Sequence, residues 1–404
     1  DFVTKVDYVF NPQNAIYVRY GHGNQNSPGD SVNGGRPIFP NTPRIVDTYR
    51  TPRNWAVNWR SNPTPRITNE FLYGYSKYGF IFDTPFADPN YAFSFLNVSN
   101  SNLNDSYNGR VVKTHQFVDN ITFDRSPHTF KAGINFRLVN HVDDRYSVAG
   151  STIEGKVTFS GTAAPFTGFN LPTVFNATTN PTGIIGADLT RLQNTLADLI
   201  GRVGTISRAF VSTGSAFEPG GSRWINNATY NEFDFYFQDN WKIRSNLLLD
   251  IGARWEIKKK PSVDGRPILV PNQLVKLGAV PSNTLRWVEG ELFDDQYGLI
   301  LPSIGFAWDP FKSGKTSIRA NYRMATDRFP TFLFGSSIFQ GTPGNNVSQS
   351  NSTFGQSGGV GGSAGLYRNY LPAFLGLVPA GTPDAFRQPA ALSSNSLSVV
   401  DPDL

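Results

Sequence analysis

The sequence predicts an all-β fold, an antiparallel transmembrane β-barrel segment of about ten strands, from three observations. Apolar and polar residues alternate with a period of two over ten segments, as in half-buried strands. The segments form pairs joined by short turns, and long polar connections separate the pairs. Phe, Tyr and Trp make up 14% of the residues, which suits strands and the aromatic belts of membrane interfaces.

Five hairpins carry this pattern, each with a strand, a short turn and a return strand. They lie near residues 1–20, 54–78, 114–139, 230–256 and 297–325. The turns contain Asn, Pro, Ser, Asp or Gly, whose backbone preferences suit turns. Strict alternation of short and long connections is typical of transmembrane barrels, which have short periplasmic turns and long extracellular loops. We therefore expect residues 1–404 to form one partial barrel domain.

The two faces of the predicted strands differ in chemistry. In the fourth hairpin, Phe233, Phe235 and Phe237 alternate with Glu232 and Asp234. A basic residue on the lipid side at the bilayer midplane would cost about 2–4 kcal/mol, so the charged face must meet water. We predict a watery lumen whose charged lining includes Arg19, Glu232, Asp234, Arg254, Arg319 and Arg323.

An aromatic residue stands just before each short turn. These residues are Phe10, Trp59, Phe123, Trp241 and Trp308. We predict that they form an interfacial girdle at one membrane edge. The alternative is simple β-propensity, since aromatic residues favour strands anywhere. Two charges break the pattern, Asp119 and Asp239, and we expect both near the interface, where a charge costs less.

One segment in the longest loop has helical spacing. Its apolar positions are Leu189, Leu192, Leu196, Leu199 and Ile200. The spacing predicts a short helix near 186–203, capped at its start by Asp188 or Thr190. We expect this helix to pack on the outer part of the barrel, where a ligand could dock.

The composition excludes several classes of protein. No apolar run reaches the roughly 18 residues that a membrane-spanning helix requires. The absence of Cys excludes a disulfide framework and a Cys-based metal site. The net charge of +5 is scattered, with Lys258–Lys260 as the only basic run. A nucleic-acid partner is therefore not expected.

Sequence motifs of enzymes are also missing. The four His residues are far apart, and no HExxH, GxSxG or P-loop motif occurs. We therefore expect no catalytic residue, no cofactor, no metal site and no enzymatic activity. Acidic pairs at Asp143–Asp144 and within 291–295 could bind Ca²⁺ in outer loops. Without EF-hand spacing, solvated loop charge is the favoured explanation.

Two hairpins carry a family resemblance. YFQDNWKIRSNLLLDIGARWE (236–256) resembles a barrel hairpin of TonB-dependent receptors, especially the Oar-like group. LPSIGFAWDPFKSGKTSIRANYRMATDRF (301–329) is similar to the hairpin that follows it in that family, and 116–123 and 128–137 fit its upstream strands. The resemblance implies an outer-membrane barrel of about 22 strands. It also implies an N-terminal plug and a TonB box, neither of which is visible in these residues.

The function that the resemblance implies is active uptake of a scarce ligand through a plugged barrel with TonB-derived energy. Its partners would be outer-membrane lipid, the TonB complex and an unknown ligand. Two alternatives stay open: an outer-membrane adhesin or matrix-interaction barrel without transport, and a secreted β-rich carbohydrate-active enzyme with paired carboxylates. Both chain ends are expected at the outer rim. We therefore expect a piece of a longer protein, with an open sheet and unpaired edge strands.

Overall fold

The computed structural model describes residues 1–32, 46–83, 92–98, 107–145, 147–148, 151–153, 155–159, 186–275, 281–328, 342–351 and 375–388. The strands within this part are β1 (Phe2–Asn11), β2 (Asn14–His22), β3 (Gln25–Ser27), β4 (Asp47–Arg50), β5 (Arg53–Thr64), β6 (Ile67–Asp83), β7 (Ala92–Ser94), β8 (Asn108–Arg125), β9 (His128–Arg145), β10 (Ser147–Val148), β11 (Ser151–Thr152), β12 (Lys156–Phe159), β13 (Val203–Val211), β14 (Trp224–Arg244), β15 (Leu247–Lys258), β16 (Ser262–Asp264), β17 (Leu269–Pro271), β18 (Trp287–Glu289), β19 (Gln296–Trp308), β20 (Ile318–Arg323) and β21 (Asn346–Asn351). A helix α1 (Gly186–Ile200) and a 3₁₀ turn (Pro383–Phe386) complete the described elements.

Ten strands form one antiparallel path in a single large sheet. The path runs β1-β2-β5-β6-β8-β9-β14-β15-β19-β20, and β3, β4 and β16 attach beside it. Its five hairpins are the five that the alternating pattern predicts, so the predicted all-β fold class is confirmed. Several strands are longer than predicted. The fourth hairpin, for example, begins at Trp224 and ends at Lys258.

The short turns agree with prediction in four hairpins and differ in the fifth. In the first four, two residues separate the paired strands: 12–13, 65–66, 126–127 and 245–246. The fifth connection, from Trp308 to Ile318, is longer than the predicted short turn. The Asp309 carboxylate holds it by accepting hydrogen bonds from the backbone N–H groups of Phe311 (3.2 Å) and Gly314 (2.7 Å). Side-chain acceptors of this kind replace the ladder bonds that a longer loop lacks.

The sheet is open, as expected. β1 and β20 are its edges, and each pairs with one neighbour among the described strands. Both are exposed along their whole length.

The two faces of the large sheet match the predicted division. We call the face that carries Glu232 the polar face and the face that carries Phe237 the apolar face. Apolar-face side chains are solvent-accessible: Phe237 is 54% exposed and Ile304 is 50% exposed. A soluble sandwich would bury such residues against a second sheet, whereas Phe237 and Ile304 remain exposed. The apolar face is therefore a lipid-type surface.

The buried hydrophobic residues lie towards the ends of the long strands, away from the short turns. One cluster packs Val139, Trp224 and Tyr230 of the polar face against residues from the long connections. The connection residues of this cluster are Ile153, Ala209, Val211, Leu292 and Phe293, with Val263, Ile268 and Val270 beside them. We call the segments 151–153, 203–211, 262–270 and 292–293 the loop cap.

A second sheet of four short strands lies within the long connections. Its order is β21-β13-β12-β7, and β7 pairs in parallel with β12. The strands come from three different connections, so this sheet ties the loops to one another. Val157, Val203 and Ile206 form its core and are fully buried.

The predicted helix is present, but its surroundings differ from the prediction. It begins at Gly186, so Asp188 and Thr190 are its third and fifth residues and neither occupies the capping position before the helix. Its described partners are in a neighbouring loop: the Asp198 carboxylate accepts hydrogen bonds from the backbone of Leu96 (3.0 Å) and Asn97 (2.9 Å). Leu199, placed in the predicted apolar stripe, is 77% exposed. The side chain of Leu189 lies outside the described residues.

Among the described residues, no helix has the length and apolar character needed to cross a membrane.

Candidate ligand-binding face and its membrane setting

Strand register places all six predicted lumen residues on the polar face. Directly opposed partners share a face in an antiparallel sheet. One row of such partners runs across nine strands: Lys5, Arg19, Ala56, Gly74, Gln116, Arg137, Glu232, Lys258 and Gln296. The same face carries the other four predicted residues. Each lies an even number of strand positions from a member of this row or from a residue paired with that face: Asp234, Arg254, Arg319 and Arg323. Their shared face is observed, and their exposure to a lumen remains a prediction.

A ladder of hydrogen bonds joins three adjacent strands on the polar face. Gln116 Nε2 donates to Asn135 Oδ1 (2.8 Å), and Asn135 Nδ2 donates to Asp234 Oδ2 (2.9 Å). Beside this chain, Arg137 Nη1 donates to Glu232 Oε2 (3.0 Å). Because each group holds the next, these donors and acceptors have fixed positions. The sequence identified Glu232 and Asp234 but gave no signal for their partners, which come from a different hairpin.

The segment after β20 crosses the polar face. Lys258 Nζ donates to Thr326 Oγ1 (2.9 Å) and to the carbonyl of Asp327 (2.6 Å). Arg328 Nε lies 3.4 Å from Glu232 Oε2. The fifth hairpin was predicted to extend to about residue 325. In the structure the strand ends at Arg323, because the chain turns onto the charged groups of β15 and β14.

Three predicted arginines are exposed on this face near its β20 edge. The side chain of Arg254 is 53% exposed and lies 3.5 Å from Glu256. Arg319 and Arg323 are exposed, and Arg319 lines an open groove of about 370 Å³ together with Asp250 and Asn321. The described residues place no carboxylate within ion-pair distance of either β20 arginine. Arg319 Nε donates to Ser317 Oγ (3.1 Å), and the other guanidinium N–H groups of the two arginines can donate hydrogen bonds to a bound molecule.

A buried ion cluster lies on the polar face at the end of the strands away from the short turns. Asp143 accepts hydrogen bonds from Arg110 Nε (3.0 Å) and Arg145 Nη2 (3.0 Å), and His141 Nε2 lies 3.3 Å from its other oxygen. Asp144 pairs with Arg223 at 3.1 Å. The Asp143–Asp144 pair was considered as a loop Ca²⁺ site. Neither that explanation nor the favoured one, solvated loop charge, holds: both residues belong to β9 and pair with arginines.

The loop cap covers this cluster from the side of the polar face. Trp224 is 1% exposed, and the Arg266 guanidinium lies 4.5 Å from the centre of its ring. Arg266 also donates to the carbonyl of Ser212 and to Glu218 Oε1 (3.0 Å). Burial lowers the pKa of Arg266, although Glu218 opposes this by favouring the charged form. The cation–π contact and the ion pair together fix the cap on the sheet.

The sequence matches the family model described as outer membrane beta barrel domain over residues 1–404. The chain belongs to this family. Such a barrel requires a sheet with one polar face and one apolar, accessible face, and this sheet has that arrangement. The protein is therefore located in the outer membrane, as predicted.

The solved structures to which the chain is similar include the following three. The alcaligin receptor FauA from Bordetella pertussis shows 10% identity and a TM-score of 0.37, with 80% of this chain and 34% of that chain covered. FpvA from P. aeruginosa, solved with a heterologous ferric pyoverdine, shows 10% identity and a TM-score of 0.39, with 80% and 35% covered. The ferric-catecholate import receptor Fiu from E. coli K12 shows 13% identity and a TM-score of 0.37, with 81% and 46% covered.

The chain thus spans between 34% and 46% of the length of these structures. No curated protein matches the sequence.

The five predicted girdle residues all lie on the apolar face of the barrel domain. Their exposed fractions run from 36% to 59%: Phe10, Trp59, Phe123, Trp241 and Trp308.

A second set of aromatic contacts, which was not predicted, lies further from the short turns on the same face. Tyr20 and Trp55 have ring centroids 4.3 Å apart, and Tyr75 and His115 have centroids 4.9 Å apart. The aromatic residues at those strand positions could have indicated this second set from the sequence. Assignment of either set to a membrane interface remains a prediction.

The two charges on the apolar face have polar partners. His128 Nδ1 lies 2.7 Å from Asp239 Oδ2, and the His128 ring stacks on Trp241 at 5.3 Å. Asn69 Nδ2 donates to Asp119 Oδ1 at 2.7 Å. Asp239 lies beside the predicted girdle, as expected. Asp119 lies four residues from Phe123 and four from His115 on β8, in the same register row as Trp59, and its place near the interface remains a prediction.

The acidic segment 291–295 is paired with the only basic run of the chain. Asp295 accepts hydrogen bonds from Lys259 Nζ, the Lys260 backbone N–H (2.8 Å) and Tyr297 Oη (2.9 Å), while Glu291 pairs with Lys260. Desolvation raises the pKa of Asp295, but these hydrogen bonds outweigh it and lower the pKa to about 2. Within the described residues, no group of acidic and histidine side chains could hold a metal ion. The favoured explanation for this segment changes from solvated charge to ion pairing.

Proposed function

We propose that this protein is an outer-membrane receptor that takes up a scarce ligand through the lumen of its barrel, with energy derived from TonB. The observation that supports the proposal best is the hydrogen-bonded polar face. Its fixed donors and acceptors extend over β8, β9 and β14, on the side of the sheet away from lipid. A surface of this kind can hold a polar ligand or a plug without reorganisation.

The loop cap supports a capture step. It packs on the same face as the hydrogen-bonded ladder, towards the end of the strands where the long connections lie. A molecule bound among the long connections would therefore be next to the polar lining. The resemblance of 236–256 and 301–329 to TonB-dependent receptors is the basis for the energy source.

We assign different roles to the residues of the polar face. Glu232 and Asp234 are engaged with Arg137 and Asn135, so their role is to shape the wall. Arg254, Arg319 and Arg323 are exposed cations close together near the β20 edge, so they are the residues proposed to contact the ligand during passage. Guanidinium groups bind carboxylate, phosphate and hydroxyl oxygens through paired N–H donors.

The test is uptake by a deletion strain supplied with four labelled ligand classes: ferric siderophores, cobalamin, oligosaccharides and peptides. We expect the deletion to abolish uptake of one class, and a tonB deletion to abolish the same uptake. Restoring the protein with R254Q, R319Q and R323Q combined should lower the uptake rate by about tenfold, the effect of a few weakened polar contacts. R191Q on the exposed face of α1 is the matched control and should restore full uptake.

Two results would contradict the proposal. Uptake of all four classes could survive the deletion, or the affected uptake could persist without TonB. If the deletion instead abolished adhesion of cells to a matrix and left uptake intact, the adhesin alternative would replace the transport function.

A further inference from the structure

Three cations form a row across neighbouring strands on the apolar face of the sheet, towards the long connections. Arg53 on β5 is directly opposite Lys77 on β6, and Lys77 is directly opposite Lys113 on β8. Arg53 and Lys113 are exposed, and Lys77 is half-buried. Neighbouring strands are about 4.8 Å apart, so the backbone positions of all three fall within roughly 10 Å. We call these three residues the cation row.

The height of the cation row follows from its position on β8. The adjacent row towards the short turns contains Trp55, Tyr75 and His115, each two residues from a cation. Lys113 is ten residues from Phe123 of the predicted girdle. Ten residues of strand span roughly 33 Å, and a tilt near 40° reduces the height to roughly 25 Å. The apolar band of an outer-membrane barrel is about 25 Å tall, so the cation row is at the level of the lipid headgroups.

The described part of the chain does not neutralise the cation row. Like charges directly opposite each other destabilise a sheet, and no described carboxylate lies within ion-pair distance of any of the three. The basic run 258–260, by contrast, has carboxylate partners in Asp295 and Glu291. The same register row continues onto β9 and β14 through Asn140 and Thr229, which carry no charge. The unpaired positive charge is therefore concentrated on β5, β6 and β8.

We propose that the cation row binds the phosphate groups of an anionic glycolipid in the outer leaflet of the outer membrane. The long connections of such a barrel lie on the extracellular side, and phosphorylated glycolipid is the lipid of that leaflet. Guanidinium and ammonium groups donate charge-assisted hydrogen bonds to phosphate oxygens, and clustered basic residues attract anionic headgroups. Next to the row, Trp55 is 44% exposed and offers an apolar surface to the acyl chains. The site faces away from the polar face, so it is separate from the proposed path of the transported ligand.

Binding of purified lipids to the full chain in detergent micelles, measured by native mass spectrometry, tests the proposal. The probe is bisphosphorylated lipid A. Two comparison lipids separate its chemical features. Lipid A stripped of both phosphates keeps the sugars and acyl chains, and phosphatidylglycerol keeps a lipid phosphate without the sugars.

Two triple variants remove three positive charges each from opposite ends of the same strands. The first neutralises the cation row: R53Q, K77Q and K113Q. The matched control neutralises three exposed arginines at the short-turn ends of β5, β6 and β8: R60Q, R66Q and R125Q. The heat-dependent change in gel mobility of a folded barrel checks the folding of both variants.

We expect the wild type to bind bisphosphorylated lipid A at least tenfold more tightly than either comparison lipid. The cation-row variant should lose at least tenfold in affinity for lipid A, and the control should stay within twofold of the wild type. Added salt should weaken binding to the wild type, because ions screen exposed charges.

Four outcomes would overturn the proposal: equal affinity of the wild type for lipid A and its phosphate-free form, equal affinity for phosphatidylglycerol, unchanged affinity in the folded cation-row variant, or an equal loss in the control. The first two need no variant, so they decide the question even if a variant fails to fold. None of the four depends on ligand uptake, so the lipid site can fail while the transport function stands.

Discussion

Arg137 and Glu232 lie directly opposite each other on β9 and β14, and their side chains meet at 3.0 Å on the polar face of the sheet. Their exposed fractions are 14% and 18%, so the pair is largely shielded from solvent. Arg328, from the segment after β20, approaches the same carboxylate. One glutamate therefore joins two hairpins and the segment that crosses them.

Removing the Arg137 partner should destabilise the barrel domain. We expect R137M to lower the free energy of unfolding in lipid vesicles by about 1–3 kcal/mol, the cost of leaving a buried acceptor without its donor. R19Q in the same row is the control, because Arg19 is exposed and the described structure gives it no ion pair. Its effect should stay below about 0.5 kcal/mol. Equal losses in the two variants would show that the Arg137–Glu232 contact is not formed.

Charge should be tolerated on one face of β19 and rejected on the other. Ile304 is 50% exposed on the apolar face, so I304R should cost about 2–4 kcal/mol of folding free energy in bilayers. L299R places the same side chain on the polar face, opposite Glu256, and should be nearly neutral. Urea titration of both variants in vesicles measures the difference. A reversed order of stability would overturn the assignment of the faces.

The His128–Asp239 pair should behave non-additively. H128L leaves the Asp239 carboxylate without its partner on the apolar face and should cost about 1–3 kcal/mol. H128L with D239L removes both polar groups and should recover most of that loss, because paired removal leaves no unsatisfied charge. The readout is a double-mutant cycle from unfolding titrations. Additive losses would mean that the two side chains act independently.

The contact between Asp295 and the Lys259–Lys260 pair should weaken only in strong acid. The folded pKa of about 2 lies below the ordinary value of 3.8. The stabilisation is therefore complete above about pH 4 and is lost as pH falls through 2. Pepsin cleavage of the 286–295 segment should increase between pH 4 and pH 2. D295N should be cleaved readily at both pH values, whereas D294N at the neighbouring position should behave like the wild type.

Truncation of Trp224 should release the loop cap without disturbing the strands in the membrane. Trp224 is buried beneath Arg266, so W224A should cost about 3–5 kcal/mol locally. We expect faster proteolysis within 203–223 on whole cells and unchanged insertion of the barrel. I225A is the control, because Ile225 is 45% exposed on the opposite face of the same strand. Loss of insertion in W224A would show that cap and barrel fold as one cooperative unit.

The pairing of the two strands within each of the five hairpins could be predicted because the information is local. Period-two alternation assigns each residue of a hairpin such as 230–256 to a face, and a short turn forces its two strands to be neighbours. The polar character of Glu232 and the apolar character of Phe237 follow from the same rule. Family membership and the outer-membrane location are consistent with these local patterns.

Partners across long connections could not be predicted, because sequence separation carries no distance information once a loop is long. Examples are Asn135 with Asp234, Lys259 with Asp295, and the parallel pairing of β7 with β12. The first residue of the helix could not be predicted for a related reason. Asp188 suits a cap by residue type, yet the helix already begins at Gly186.

The sequence by itself determined which side of each strand is apolar and which is polar, because successive side chains of a strand point to opposite faces in any environment. Only the tertiary structure decided depth and partnership. The stagger between neighbouring strands sets which residues meet across strands, and it placed Asp119 beside Asn69. That stagger depends on pairing between strands far apart in the chain, which no local pattern encodes.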